Sequence, residues 1–312
     1  MKKEKEIDSV AERNGAVELP TGKLKYPLTN DFMFKAVLQR NQMALKGLLC
    51  ALLHMRMEEI AEIRILNPIE IGGMIDEKMM MLDLKLELND SRILDIEMQV
   101  IDEGNWTERS LAYLCRAFDQ LERGEDYMEV KETIHIGILD FTPQGFPQKL
   151  YLDYFFYNFN TAHKYSDKMS IRVLQLNQLD KEKNEQKKTK LYYWVQLFKA
   201  ETWEEMWMLA EKDETIRECV FTYKELSADE KARMQLEARD DYYRRLNGAE
   251  KRGIRKGMEK GLERAQKEIA RNLLSNVEHA MESFHVDLER ACEGLGTTVD
   301  AYQAAKELLA LK

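Results

Sequence analysis

Two short runs of strict alternation, joined by a three-residue turn, constrain this chain more than any other feature. Leu82, Leu84, Leu86 and Leu88 interleave with Asp83, Lys85 and Glu87. After Asn89-Asp90-Ser91, Leu94, Ile96 and Met98 interleave with Asp95, Glu97 and Gln99. This is the period of a strand with one buried face, and Asn, Asp and Ser supply turn chemistry between two such strands. A three-residue loop makes paired positions sum to 180, so Asp83 faces Glu97 and Lys85 faces Asp95. A slip of one residue would turn the leucines to the polar side, so the hydrophobic pattern selects this register.

Side chains directly opposite each other in an antiparallel pair have Cβ atoms roughly 4.5–5.5 Å apart. Two carboxylates held that close repel unless a proton or a cation intervenes. A hard divalent ion answers the problem: Mg²⁺, with Mn²⁺ as a substitute, takes one or two carboxylates together with waters and substrate phosphate. Such an ion polarises a phosphodiester and generates hydroxide from bound water. Gln99, two residues after Glu97, shares its face; its amide can orient a water or a phosphate oxygen but carries no charge. The other reading of the same pattern is a solvated hairpin face with Lys85 between acidic neighbours.

The surrounding segments read as an α/β core with a mixed sheet flanked by helices. Thr29-Asn30 caps a helix that begins at Asp31, and a second helix covers about 42–55. Ile63 to Ile71 reads as a strand with a bend at Pro68, followed by the hairpin strands at 79–88 and 93–100. A long helix starts behind Asn105 and Glu108, a variant capping box, with Leu111, Leu114, Cys115, Phe118 and Leu121 as its apolar face and Gly124 as its stop. Strands follow at about 133–141, 149–157 and 170–177. Beyond a charged loop the chain is all-helical, with segments near 191–199, 202–211, 214–226 and 228–272, then two short helices at about 284–293 and 298–310. The expected division is a loose arm over 1–25, a core over 26–180, a helical extension over 190–275 and a small helical tail over 276–312.

The 312 residues carry a net charge of −9, which by itself disfavours a polyphosphate partner. The average hides a segregation: from 244 to 271 there are ten Lys and Arg against four Glu, a balance of +6. Lys256, Lys260 and Arg264 lie on one stripe of that helix, where they read either as ordinary solvation, as a DNA-tracking surface or as the flank of a dimerising helix. Gly253, Gly257 and Gly261 recur there every four residues, and each costs about 0.5–1 kcal/mol relative to Ala. Regular spacing therefore points to flexibility or close helix approach. The four cysteines form no CxxC pair and the five histidines are scattered, so no zinc site is indicated. With no apolar run behind Met1 and none long enough to span a bilayer, a cytoplasmic protein without a membrane contact is expected.

Leu82-Asp83-Leu84 followed by Ile96-Glu97-Met98-Gln99 resembles the recombination-promoting nuclease and transposase family within the PD-(D/E)XK superfamily, where the second motif ends in Glu-x-Gln rather than Glu-x-Lys. Asn30-Asp31-Phe32-Met33-Phe34-Lys35 resembles that family's Asp-x-x-Phe-Lys signature. Arg109, Tyr113, Gly124 and Tyr127, then Ile134-His135-Ile136-Gly137-Ile138-Leu139, match its helix-to-strand passage. The resemblance covers roughly 25–275 and implies a restriction-endonuclease-like core acting as a metal-dependent DNA endonuclease. It implies that Asp83 and Glu97 bind Mg²⁺, that Gln99 stands in the usual lysine position as a third catalytic residue, and that Asp31 adds a carboxylate. Asp31 reads equally as an N-terminal acid favoured by the helix dipole. Lys35, Arg109 and Tyr113 are the expected contacts to duplex DNA near the site. Arg109, Tyr113, Arg116 and Gln120 form a stripe opposite the expected apolar face of their helix, which argues against direct contact with the reacting groups. The C-terminal pair resembles a helix-turn-helix ending, but Phe284-His285-Val286-Asp287 replaces the family's usual Gly-Met-Ser run. Two rival readings remain beside the nuclease: a transposase-derived DNA-binding protein without catalysis, and a helical interaction protein whose tail oligomerises.

Overall fold

A computed structural model describes residues 19–69, 83–181 and 189–310. The expected strand residues 70–71 and 79–82, Leu82 among them, lie outside the described residues.

Local sequence explains the first elements. Helix α1 (Asp31–Arg40) starts at Asn30, whose side chain accepts from Met33 N, and α2 (Gln42–Leu53) starts at Asn41, which accepts from Ala44 N. An Asn at each cap satisfies one of the amides that a helix start leaves without a partner. His54, in the left-handed region at φ 54°, ends α2. Strands β1 (Ile63–Ile65), β2 (Leu84–Leu88) and β3 (Arg92–Gln99) form the antiparallel part of a six-stranded sheet. The hairpin has the expected register, with Leu84 opposite Ile96 and Lys85 opposite Asp95. Asn89 and Asp90 both adopt positive φ in the turn, where short polar side chains are tolerated.

After β3 comes α3 (Trp106–Phe118), then β4 (Glu132–Leu139), β5 (Tyr151–Phe155) and β6 (Met169–Gln175). The strand order is β1-β2-β3-β4-β6-β5, with parallel β3-β4-β6 at the centre and antiparallel pairs toward both edges. This is the mixed α/β sheet expected. Its β1 is shorter than the Ile63–Ile71 run suggests: Asn67 turns back instead, its side chain bonding Lys85 N and Asp83 O.

One face of the sheet carries Leu84, Leu86, Leu88, Leu94, Ile96, Ile134, Ile136, Ile138 and Leu174, all buried. They join one core with α1, α2 and three further helices: α4 (Lys190–Lys199), α5 (Trp203–Ala210) and α6 (Glu214–Ala228). Trp194, Phe198, Trp207, Ile216 and Val220 belong to that core, so these helices complete the α/β unit rather than extend away from it. Residues 19–25 are not loose. Leu24 is buried and its N–H bonds Glu201 O, while Trp203 N bonds Gly22 O. The opposite face of the sheet carries α3 and a smaller cluster around Trp106, Leu139 and Val173.

The chain divides at Ala238/Arg239 into two compact units. Helix α7 (Glu230–Phe284) runs through the expected end near 272 to Phe284, and the chain turns at His285 with φ 52°. In the second unit, Val277 and Ala280 of α7 pack with Ala291 and Cys292 of α8 (Leu288–Gly294) and Tyr302 of α9 (Val299–Ala310). Among the described residues no helix is long and apolar enough to cross a membrane.

Candidate active site

The α3 face of the sheet is where the polar residues of the hairpin point. Carrying the hairpin register one step beyond its last pair sets Asp83 opposite Glu97. Asp83 stands just ahead of β2, and its carbonyl is bracketed by two donors: Lys35 Nζ at 2.9 Å and Asn67 Nδ2 at 2.8 Å. Glu97 is 5% exposed, near the carboxyl end of β3. On the neighbouring parallel strand, Asp95 pairs with His135 and Glu97 with Gly137.

Gly137 explains how α3 comes so close. A Cβ built there would lie 2.2 Å from the Trp106 ring, so glycine admits the indole onto the strand. Trp106 is 2% exposed and its ring lies beside His135, as does that of Tyr113. With the helix set down this way, Arg109 reaches Glu97. Its Nε donates to Glu97 Oε1 at 2.8 Å and its Nη2 lies 2.6 Å from the same oxygen in an ion pair, while the guanidinium also lies over the Tyr113 ring.

This corrects the expected orientation of the helix. Its buried residues are Trp106, Ser110, Leu114 and Ala117, while Leu111 and Cys115 are exposed. The Arg109–Tyr113 stripe therefore faces the carboxylates rather than pointing away from them. The helix also ends at Phe118, before Gly124, and Asn105 stands at its cap without a side-chain bond. Lys35, expected as a DNA contact, is 1% exposed, and its Nζ donates to Asp83 O. Asp31 occupies the first turn of α1 and accepts from Phe32 N. Among the described residues no group of three His, Cys, Asp or Glu side chains is placed to hold a metal, so Asp31 is not gathered with the hairpin acids.

The electrostatics of the pair follow from burial. Burial first, and then the charge of Asp95, raise the Asp83 carboxyl above its ordinary range; Lys35 and Lys85 oppose this. Burial also raises Glu97, against the pull of Arg109. Both acids are thus held in surroundings that penalise their charged forms, which a cation relieves. Arg109 occupies only one Glu97 oxygen: Oε2 is buried without a hydrogen-bond partner among the described residues, and so is Gln99 Oε1. The Gln99 amide donates to Ile101 O at 3.0 Å. Two facing carboxylates with unsatisfied oxygen beside them fit a hard divalent ion, which completes its shell with waters and substrate oxygens.

Sequence reasoning missed the Asp95–His135 pair. Both side chains are 0% exposed, and His135 Nδ1 lies 3.2 Å from Asp95 Oδ2. The available signals were Asp95 at an inward position two residues before Glu97, and a histidine interrupting an isoleucine run. Lys256, Lys260 and Arg264 are exposed on α7 in the second unit.

No curated protein and no solved structure matches this chain. A family model described as PD-(D/E)XK nuclease family transposase matches residues 28–249. That stretch includes α1, the whole sheet, the carboxylate hairpin and α3, and the chain belongs to this family.

Proposed function

We propose that this chain is a Mg²⁺-dependent DNA endonuclease that hydrolyses phosphodiester bonds in duplex DNA and so promotes recombination or transposition-like events. Membership of a nuclease and transposase family supports the general class. The observation that carries the reading is the hairpin itself: Asp83 opposite Glu97, both acids raised by burial, with Glu97 Oε2 left unsatisfied. Asp83 and Glu97 are the metal-holding pair. A divalent ion bound by them would neutralise phosphate charge and lower the pKa of an attacking water. Gln99, on the same side of β3, orients that water or a phosphate oxygen through its amide. Arg109, a third of its side chain exposed, is the cation next to Glu97 that phosphate can reach, with Tyr113 supporting its guanidinium. The exposed Lys256, Lys260 and Arg264 contribute sequence-independent attraction to duplex DNA. The Gly253, Gly257 and Gly261 stripe has open space at each Cβ position, which leaves that helix face available to a second copy of the chain.

One observation favours a second reading, a DNA-binding protein without catalysis. Arg109 already neutralises one oxygen of Glu97. Supercoiled plasmid separates the two. Wild type should nick it with Mg²⁺ or Mn²⁺ and not with chelator, while Asp83→Ala should bind the plasmid without nicking it. Binding without nicking by the wild type in either metal would establish the second reading.

A further inference from the structure

Among the described residues, the densest run of exposed aromatics lies away from the carboxylates, where β5 and β6 continue as a hairpin arm. Beyond their last ladder pair, Phe155 with Ser170, the two chains stay bridged at Tyr157 and Lys164. Tyr165 N bonds Phe156 O, and Asn158 N bonds His163 O. The Asn158 side chain accepts from Asn160 N and Thr161 N, which fixes the turn. This bonded tip holds Phe159 at 99% exposure, and Tyr165 and Tyr157 on the arm are 84% and 53% exposed. Residues 154–166 hold six aromatics but no Leu, Ile, Val or Met, and no acid in a chain that has 56 Asp and Glu. The nearest acids stand at the base of the arm, each paired: Asp153 with Arg172 and Asp167 with Lys164. Lys164 Nζ also lies over the Phe155 ring, 5.2 Å from its centroid. At the root of the arm, Tyr154 and Phe156 line an apolar cavity of about 280 Å³ with Trp106 and Leu111 of α3.

A contiguous exposed apolar patch marks a contact surface. Protein interfaces built like a core draw on large aliphatic side chains as well, and the arm has none. Rings without aliphatics or acids, with a cation among them, fit the bases of a polyanion. Every base has a π-face, so such stacking tolerates any sequence. In a closed duplex those faces are covered by the neighbouring base pairs. We propose that the arm is a stacking platform for unpaired bases, so that the chain acts on DNA whose duplex adjoins a single-stranded or splayed segment. The inference rests on the nuclease reading and adds a substrate class to it. Strand register allows one DNA to reach both places. Glu97 aligns through Gly137 and Val173 with Leu152, three residues before Phe155, where the arm begins. Three strand spacings of roughly 4.8 Å put Leu152 about 14 Å from Glu97 across the sheet.

The test uses the full-length chain in chelator, where binding is read without cleavage. Anisotropy of labelled oligo(dT), which has no secondary structure to melt, is compared with that of a blunt duplex. Phe159→Ala combined with Tyr165→Ala should weaken oligo(dT) binding by more than about fivefold and duplex binding by less than about twofold. Both side chains are largely exposed, so the melting temperature should not change. Phe159→Trp should keep the affinity, and its added emission should be quenched when oligo(dT) binds. No binding of oligo(dT) by the wild type, unchanged affinity in the double variant, equal losses on both probes, or no quenching of the added Trp overturns the inference. A double variant that binds as wild type but no longer self-associates in sedimentation would assign the arm to a second copy instead. If the wild type binds oligo(dT) through the arm yet never nicks plasmid, the nuclease reading fails and the platform stands.

Discussion

Replacing Arg109 by Ala isolates the electrostatics of Glu97. One charge-assisted hydrogen bond at 2.8 Å and an ion-pair contact at 2.6 Å converge on Glu97 Oε1, and the other oxygen has no partner among the described residues. Hydrogen bonds to charged groups contribute roughly 1.5–3 kcal/mol. The guanidinium is about one-third exposed, which screens the pair, so the lower half of that range is expected for the whole substitution. The sign with pH follows from the protonation states. Arg109 pulls the Glu97 carboxyl down against burial, and without it the folded-state pKa rises further. An acid whose folded pKa lies above its unfolded value retains its full stability at low pH and loses it as pH rises through the folded pKa. The Arg109→Ala deficit should therefore be larger at pH 8 than at pH 4, because a proton can take the place of the guanidinium as pH falls. Urea unfolding of both proteins at the two pH values measures this. An equal loss at both would show that Arg109 stabilises through packing on Tyr113 rather than through the carboxylate.

Gly137→Ala places a Cβ 2.2 Å from the Trp106 ring, against ordinary contacts of about 3.5 Å, so indole or strand must yield by about 1.3 Å. A loss of about 1–3 kcal/mol is expected in urea unfolding; no loss in Gly137→Ala would refute the close approach. Gln99→Ala should lower nicking relative to wild type in a plasmid assay, and equal cutting would remove Gln99 from the site. Changing Lys256, Lys260 and Arg264 to Gln should weaken binding to any duplex and flatten the salt slope by up to about 3 units. An unchanged slope in a salt titration would mean that this helix does not touch phosphate, and would favour its use between copies of the chain.

The hairpin was legible because its determinants are local. Period-2 leucines and a polar three-residue turn leave one register, and the structure has it at Leu84–Ile96 and Lys85–Asp95. The neighbouring helix was not, because apolar residues lie on both of its sides. Leu111 and Cys115 look like core but are exposed, while the sheet receives Trp106, Ser110 and Ala117. The deciding feature is a glycine some thirty residues downstream, and only the parallel pairing of β3 with β4 brings Gly137 beside Glu97. The Asp95–His135 pair was hidden for the same reason, since the register of parallel strands is not written in either strand alone. Lys35 has the helical spacing of a surface residue, and its burial follows from the seating of α1 against the start of β2. The end of α7 was misplaced because polar residues beyond 272 interrupt the apolar period, whereas Leu273, Leu274, Val277 and Met281 turn to a small core made with the last two helices.

The most direct test of the carboxylate pair as a metal site is thermal melting across a Mg²⁺ series, for wild type and for the Asp83→Ala, Glu97→Ala double variant. A ligand at 100 times its dissociation constant stabilises the folded state by about 2.7 kcal/mol. For a unit of this size that is a rise of roughly 5–11 °C. The wild type should show a saturable rise of that order and the double variant none. The same rise in both proteins would place the metal elsewhere and remove Asp83 and Glu97 as its ligands.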